Sequence, residues 1–200
     1  MKTTHKTLGD LAEIHSGYLF REGYIPDAES KHRAIQAKDI DIQTRTFRVP
    51  EYCVQVQATP QPQHYIKEND ILFLSKMNPM AIFVERTQPN LIASSYFFII
   101  REKSEEVLAT YLAWYLNQKP AQTYFRSVGQ GSTILNVTKR DLMTLPIPIP
   151  HPALQEKIAY LDSLAREYRR EHEVLQDKMT KLISLVSEKS LKKAERNLDL

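Results

Sequence analysis

The sequence has little cysteine, which cross-links small folds, and little glycine, which allows tight backbone turns. Its 200 residues include one cysteine, one tryptophan and five glycines. The single cysteine, Cys53, excludes a disulfide framework, so we expect a protein of the reducing cytoplasm with an unreactive thiol. No apolar run reaches the roughly 18 residues of a membrane span, and the amino terminus lacks the apolar core of a signal peptide. We therefore expect no membrane association.

The common catalytic motifs are also missing. The sequence has neither a Walker A loop nor a G-x-G-x-x-G loop, and its histidines are scattered, away from metal-ligand spacing. Asn78-Pro79-Met80 resembles the start of an amino-methyltransferase loop but lacks its second proline and its aromatic residue. Glu102-Lys103 is a fragment of a nuclease motif without a suitably placed aspartate. We therefore predict a non-catalytic chain that binds no metal or cofactor of its own.

The net charge of the chain does not indicate a particular class of binding partner. The formal net charge is +3, and basic and acidic residues are nearly balanced before and after residue 150. Any surface that binds nucleic acid must therefore be a local patch rather than a basic tail. An apolar content of 42% and a charged content of 26% describe an ordinary globular protein. The length allows one domain of about 150 residues followed by an extended element.

Proline alternates with apolar residues from Leu145 to Pro152. Because proline fixes its own φ and disfavours helix in the residue before it, this stretch is predicted to be an extended strap. Pro152 suits the first turn of a helix, and neither proline nor glycine occurs after it. The sequence therefore predicts a domain at residues 1–150 and, within residues 151–200, a helix of roughly 40 residues that is about 60 Å long.

Within this helix, one set of positions recurs at alternating steps of three and four residues, which is typical of a coiled-coil seam. The seam consists of Ile158, Leu161, Ala165, Tyr168, His172, Leu175, Met179, Leu182 and Val186. Ala165 and His172 fill core positions poorly, so an antiparallel pair or a mixed bundle is favoured over a strong parallel zipper. The alternative is a helix that packs on its own domain.

The first 150 residues predict a mixed α/β domain. Residues 8–14 form a short apolar element, and residues 34–40 and 46–49 have the character of short strands. Three longer apolar runs, which we expect to be central strands, lie at residues 71–74, 81–84 and 96–100.

Capping residues place two helices after these strands. Ser104 is predicted to cap a helix that Pro120 interrupts. Thr138, with Asp141 three residues later, is predicted to cap a short helix.

Polar, basic and aromatic side chains concentrate in the loops beside the strands. Arginine and lysine pair with phosphate or guanine, and asparagine and glutamine pair with adenine. The repetition of such residues over several loops predicts a DNA-facing surface. Its candidate residues are Tyr18, Arg21, Lys38, Arg45, Arg48, Lys76, Asn78, Ser95, Arg126, Gln130, Ser132 and Thr133.

Several stretches together resemble the specificity subunits of type I restriction–modification systems. They are Ile66-Lys67-Glu68-Asn69-Asp70-Ile71-Leu72-Phe73, Ala93 through Arg101, Tyr111 through Leu116, Asp141 through Pro150, and Gln155-Glu156-Lys157-Ile158-Ala159. The strap with its following helix is the most specific part of the resemblance. Asn69 in place of a usual glycine, and His151-Pro152-Ala153-Leu154 after the strap, are mild departures.

The resemblance implies a DNA target recognition domain at residues 1–150 and a helix for dimerisation and partner binding at residues 151–200. Its partners would be double-stranded DNA, methyltransferase subunits that carry S-adenosylmethionine, and a nuclease subunit. Specificity subunits usually have two recognition domains and two helices, whereas this chain has one of each and resembles a half-length form. We therefore expect an antiparallel homodimer that reads a symmetric, interrupted palindrome.

Two other classes of function stay open at this point. One is a diverged DNA methyltransferase or nuclease, which a sensitive activity assay on the purified chain would reveal. The other is a coiled-coil adaptor that never binds DNA, and a salt-dependent DNA-binding measurement separates it from a specificity subunit.

Overall fold

The computed structural model describes residues 4–128 and 135–198, with the side chains of the last helix described up to residue 189. The chain divides into two compact units, Met1–Asp162 and Ser163–Leu200. The first unit contains both strands and helices, and the second is helical. The predicted mixed α/β domain followed by a long helix is therefore confirmed, while the boundary at residue 150 stays a prediction.

The strands and helices follow one another along the chain in an order that mixes both types. They are β1 (Thr4–Thr7), α1 (Leu8–Leu11), β2 (Ala12–Ser16), β3 (Arg33–Ile35), β4 (Ile40–Asp41), β5 (Thr46–Phe47), β6 (Ile71–Leu74), β7 (Met80–Phe83), β8 (Leu91–Ala93), β9 (Phe97–Glu102), α2 (Ala109–Leu116), α3 (Lys119–Val128), α4 (Lys139–Thr144), β10 (Pro146–Ile149) and α5 (Pro152–Leu198). Within the described residues, no helix combines the length and apolar content that crossing a bilayer requires.

Four antiparallel strands form the central sheet in the order β2-β9-β6-β7. The runs predicted as strands at residues 71–74, 81–84 and 96–100 are confirmed as β6, β7 and β9. Among the described residues, only β6 and β9 have a neighbour on each side, so the prediction that all three are central is wrong for β7. Hydrophobicity could not separate them, because an edge strand covered by a helix is as apolar as a central one.

The side chain of Asn117, just after α2, covers the open edge of β7. Its Oδ1 accepts a hydrogen bond from the Ala81 N–H at 3.0 Å, and its Nδ2 donates to the Ala81 carbonyl at 2.8 Å. The amide therefore satisfies both backbone groups of Ala81, as a further strand would. Such covering protects an edge from pairing with another chain.

Both faces of the sheet are buried. On β6, Ile71 and Phe73 face one core together with the helices, while Leu72 and Leu74 face a second core that includes residues of β3 and β8. A strand buried on both faces has a continuous apolar sequence instead of an alternating one. This explains why β6 could be predicted to the residue.

The short strands around the sheet differ from their predictions. β3 pairs in parallel with β8, and β4 pairs with β5 in a two-residue ladder. The strand predicted at residues 34–40 is wrong as a single element, because β3 ends at Ile35 and a 3₁₀ turn, Ala37–Asp39, follows. The Asp39 carboxylate accepts a hydrogen bond from the Gln36 N–H at 2.8 Å, which stabilises this turn.

The helix predicted to begin at Ser104 begins later. Its first residue is Ala109, and the Glu102 carboxylate at the end of β9 accepts the Ala109 N–H at 2.7 Å. Ser104 instead accepts a hydrogen bond from Glu106 N in the preceding turn, at 3.4 Å. Pro120 does separate two helices, but it lies in the first turn of α3, a helix that was not predicted.

The predicted cap of α4 is confirmed. Thr138 and Asp141 form a capping box, in which the Thr138 hydroxyl accepts from the Asp141 N–H at 3.2 Å. The Asp141 carboxylate accepts from the Thr138 N–H at 2.8 Å. The box satisfies N–H groups that have no partner inside the helix.

The proline strap is extended, as predicted, and is also a strand. Its residues Pro146–Ile149 form β10, which pairs with β1. The hydroxyls of Tyr111 and Tyr115 donate to the carbonyls of Pro148 and Pro146, at 2.8 and 3.3 Å. Helix α2 thereby holds the strap in place on the domain.

Helix α5 begins at Pro152, as predicted, and runs for 47 residues, or about 70 Å. Gln155, in its first turn, is buried against the domain. The Gln155 side chain accepts from the Leu108 N–H at 2.9 Å and donates to the carbonyls of Glu106 and Pro150 at 2.9 and 3.0 Å. One side chain thus joins the start of α5 to the strap and to the N-cap of α2.

Candidate nucleic-acid interface

The sheet register brings several polar loops to one end of the domain. Leu74, at the end of β6, is paired with Met80 at the start of β7 and with Phe97 at the start of β9. Ser16, at the end of β2, pairs with Phe98. Because these strands are antiparallel, the loops after β2, between β6 and β7 and before β9 all emerge at this end.

Gly17 allows the loop after β2 to lie very close to the loop before β9. Its N–H donates to the Phe97 carbonyl at 3.0 Å, and the next N–H, of Tyr18, donates to the Ala93 carbonyl at 2.7 Å. A Cβ added to Gly17 would lie 2.1 Å from the Ser94 carbonyl oxygen. The two backbones are therefore too close for any residue except glycine.

Ser75 holds the other side of the loop before β9. Its N–H and its hydroxyl both donate to the Tyr96 carbonyl, each at 3.0 Å. Its own carbonyl accepts from the Val137 N–H at 2.8 Å. The loop that carries Tyr96 is thus fixed on both sides, by Gly17 and by Ser75.

Two lysines at this end are each held against a tyrosine ring. The Lys76 ammonium lies 4.9 Å from the ring centre of Tyr96, which is 41% exposed. The Lys38 ammonium lies 5.5 Å from the ring centre of Tyr52 and donates to its hydroxyl at 3.0 Å. This hydrogen bond raises the pKa of Lys38 above its ordinary value, so the ammonium keeps its charge.

Tyr24 lies near Lys38 of one pair and Tyr96 of the other. Burial raises the pKa of its hydroxyl, with further contributions from the nearby Tyr96 and Asp39, and the neighbouring Ser94 hydroxyl and Lys38 ammonium oppose this rise. The Ser94 N–H donates to the Ile35 carbonyl at 3.0 Å, so the end of β3, which leads to Lys38, lies beside the loop of Tyr96. We refer to Tyr24, Lys38, Tyr52, Lys76 and Tyr96 as the lysine–tyrosine surface. Exposed ammonium groups beside aromatic faces suit the phosphates and bases of nucleic acid.

The predicted interface residues are spread over several elements. Lys38 and Lys76 belong to the lysine–tyrosine surface, Asn78 is exposed beside Lys76, and Ser95 is half-buried beside Tyr96. Arg21 and Arg48 are exposed in other loops, and Arg126 is exposed in the last turn of α3. Whether any of them touches DNA stays a prediction.

Two predicted residues have partners inside the domain. Tyr18 is 5% exposed, and its hydroxyl bonds to the backbone N–H and carbonyl of Ala58, each at 3.0 Å. The Arg45 guanidinium lies 3.7 Å from the Asp162 carboxylate in α5. Tyr18 therefore supports the loop that follows β2, and Arg45 joins the β4–β5 turn to the first turns of the long helix.

Gln130, Ser132 and Thr133 lie outside the described residues. The Leu135 carbonyl accepts from the Met77 N–H at 2.9 Å, and Asn136 forms a β-bridge with Lys76. The segment that precedes α4 is thus hydrogen-bonded to the loop of Lys76.

The sequence did not predict that Tyr52 and Tyr96 lie beside the two lysines. The strand prediction for residues 96–100 includes Tyr96, and nothing in the sequence joins it to Lys76, twenty positions earlier. Only the pairing of β6 with β9 brings them together. In residues 4–128, 135–198, no group of three or more histidine, cysteine or acidic side chains could hold a metal ion.

The profile of a family described as "Type I restriction modification DNA specificity domain" matches residues 2–176. The specificity subunit of the type I restriction enzyme EcoEI from Escherichia coli is 26% identical over 106 residues. That match covers 50% of this chain and 18% of that protein.

Solved structures of similar fold include the S subunit of a type I restriction-modification system from M. genitalium. It has a TM-score of 0.55 at 15% identity, over 82% of this chain and 38% of that one. The HsdS subunit from Thermoanaerobacter tengcongensis has a TM-score of 0.53 at 15% identity, over 87% of this chain and 40% of that one. These likenesses show the shared fold.

The chain spans less than half the length of each of these relatives. None of the matches favours the diverged enzyme or the coiled-coil adaptor that the sequence left open. The family match, in contrast, covers the lysine–tyrosine surface, the strap and the first half of α5. The chain belongs to the family of type I restriction modification DNA specificity domains.

Proposed function

We propose that this chain recognises a DNA sequence for a type I restriction–modification system and uses the lysine–tyrosine surface to do so. The observation that carries the proposal is the family match over residues 2–176. The structure adds a surface of suitable chemistry, in which Lys38 and Lys76 present charge beside partly exposed rings.

On this proposal, Lys38 and Lys76 bind phosphates and position the duplex. Each lysine that neutralises a phosphate lowers the slope of log K against log salt by about 0.9. Asn78, exposed between the lysine loop and β7, is suited to read an adenine edge. The fixed backbones around Gly17 and Ser75 keep these loops in place before DNA arrives.

The chain itself would catalyse nothing. Partner methyltransferase subunits would bind S-adenosylmethionine and methylate the site, and a nuclease subunit would cut unmodified DNA. This division of labour agrees with a sequence in which no catalytic motif was found.

We further propose that α5 pairs with a second helix, in the first instance that of another copy in antiparallel orientation. Its support is the exposed apolar seam, of which Leu175, Met179, Leu182 and Val186 are large members. The predicted first member, Ile158, is instead half-buried against the core of its own domain. Antiparallel pairing of identical helices is two-fold symmetric, so the two domains would read the same half-site in inverted orientation.

DNA selection by the full chain with its co-purified partners tests the first proposal. Lys38→Ala and Lys76→Ala should weaken binding to all duplexes alike and flatten the salt slope by about one unit each. Lys67→Ala, an exposed lysine before the opposite end of β6, is the matched control and should bind like the parent. Unchanged affinity and salt slope in both surface variants would contradict the assignment.

Mapping of methylated sites in cells tests the dimer. A symmetric, interrupted palindrome is expected. An asymmetric bipartite motif, or a short uninterrupted one, would contradict the symmetric homodimer and leave another protein as the partner of α5.

A further inference from the structure

Met77 has an unusual backbone conformation at the tip of the loop between β6 and β7. Its φ is +66°, in the left-handed region that residues other than glycine rarely adopt. The Asn78 N–H donates to the Lys76 carbonyl at 2.9 Å, across Met77. This hydrogen bond and the positive φ together form a γ-turn of the rare, strained kind.

Hydrogen bonds with residues 135 and 137 hold this turn in place. The Met77 N–H donates to the Leu135 carbonyl at 2.9 Å, and the Val137 N–H donates to the carbonyl of Ser75 at 2.8 Å. Two hydrogen bonds with the segment that precedes α4 therefore fix the loop on both sides of Lys76. Strained conformations that are fixed by their surroundings cluster at functional sites.

Packing within the domain does not explain a methionine here. Met77 is 70% exposed, more than any other large apolar residue that the structure describes outside α5. Its neighbours in the chain, Lys76 and Asn78, are also exposed. The turn thus presents an apolar, flexible side chain between a cation and an amide.

This grouping fits the major groove of a duplex. Lys76 belongs to the lysine–tyrosine surface, which brings phosphate to this loop, and an asparagine is suited to the N6 and N7 edge of adenine. In an A·T pair the thymine C5-methyl lies in the same groove as that adenine edge. An apolar side chain beside the asparagine is positioned for that methyl group.

We propose that Met77 is a specificity-determining residue that contacts the C5-methyl group of a thymine in the recognised duplex. The inference rests on the proposed function, because it requires that the lysine–tyrosine surface binds DNA. It predicts at least one A·T pair in each half-site, read jointly by Met77 and Asn78.

Replacement of thymine by uracil tests the contact, since it removes only the methyl group. The full chain with its co-purified partners first selects its target from a random duplex library. Affinity is then measured for duplexes in which each thymine of the target is replaced by uracil in turn. Replacement of one particular thymine should weaken binding about four-fold, which corresponds to the free energy of burying one methyl group.

Met77→Ala should bind the thymine and uracil duplexes equally, at the parent's level for uracil. Met77→Leu, which keeps an apolar side chain, should retain part of the preference. Met143→Ala, an exposed methionine on α4, is the matched control and should keep the parent's preference. Met77→Gly, which accepts a positive φ freely, separates loss of the side chain from any effect on the turn.

Each other outcome overturns the inference in its own way. A parent indifferent to uracil at every thymine, or a Met77→Ala variant with the parent's preference, excludes the methyl contact. If 2-aminopurine in the duplex becomes more fluorescent on binding, and Met77→Ala abolishes this increase, then Met77 inserts between bases instead.

A parent that binds no duplex contradicts the proposed function and this inference with it. Unequal loss in Lys38→Ala on the thymine and uracil duplexes would assign the preference to another residue.

Discussion

The guanidinium of Arg101 forms a bidentate ion pair with the carboxylate of Asp70. Its Nε lies 2.8 Å from Oδ1, and its Nη2 lies 2.9 Å from Oδ2. The pair links β9 to the entry of β6, beside the paired residues Ile71 and Ile100. Asp70 also accepts from the Lys67 N–H at 2.7 Å and is 2% exposed. The pair therefore fixes the register of the two central strands and, through it, the loops at their other ends.

Asp70→Ala should destabilise the domain by about 3 kcal/mol, because it removes the counter-charge of the half-buried Arg101 guanidinium, which keeps only its hydrogen bond to the Tyr65 carbonyl. Urea unfolding of the purified chain measures the loss. Glu106→Ala is the matched control, because Glu106 pairs with Lys6 on the surface, where such pairs contribute about 0–1 kcal/mol. Equal losses in both variants would show that the pair does not hold the register.

Gly17→Ala should disrupt the loops around the lysine–tyrosine surface, since its Cβ would meet the Ser94 carbonyl at 2.1 Å. We expect a lower unfolding free energy and weaker binding to all duplexes. Gly23→Ala is the control, because a Cβ on Gly23 meets nothing within 4 Å and only its φ of +83° is unfavourable. If Gly17→Ala unfolds and binds like Gly23→Ala, the close approach of the loops is wrong.

Stability should fall at alkaline pH through Tyr111. Burial, with a smaller effect of Tyr115, raises its pKa to about 12. Since the folded pKa lies above the ordinary tyrosine value of 10.0, the contribution of Tyr111 to stability is fully present below pH 10.0 and is lost as pH rises towards about 12. Unfolding free energies measured over this range should decline in the parent.

Tyr111→Phe should show a smaller decline, from a lower starting stability, because it also loses the hydrogen bond to the Pro148 carbonyl. The exposed Tyr160→Phe is the matched control and should follow the parent. A Tyr111→Phe variant with the parent's full alkaline decline would assign the effect to other tyrosines.

Introducing a charged side chain into the seam of α5 tests whether this helix pairs with another. Leu175→Asp and Leu182→Asp would each place a carboxylate in the apolar contact between paired helices, where it would be desolvated without a partner. We expect loss of self-association or of partner binding, with the domain still folded by circular dichroism. Ser184→Asp, on the opposite side of the helix from Leu182, should assemble normally. Size measurements that show unchanged assembly in both leucine variants would contradict the paired seam.

Some of this structure could be predicted because its signals are local. Thr138 and Asp141 stand at the spacing of a capping box, Pro152 can begin a helix but not continue one, and residues 71–74 are apolar throughout because both faces of β6 are buried. Each of these depends on neighbouring residues alone.

The rest depends on contacts between distant residues. Ser104 had the right chemistry for a cap, but the Glu102 carboxylate reaches the first N–H of α2 from the end of a strand. Lys76 and Tyr96 meet only through the register of β6 and β9, so their contact had no signal in the sequence. Tyr18 was predicted at the surface from its loop position, and its buried ring shows that loop residues can also support a loop from within.

The pairing of β1 with β10 brings the two ends of residues 4–149 together. Thr4 lies opposite Ile149, so the chain enters and leaves the domain on one two-stranded ribbon, three residues before α5 begins. A segment with adjacent ends can be replaced by another of the same family with few new junctions to satisfy. The long helix, with its spacing and its partners, would remain in place while the DNA sequence that is read changes.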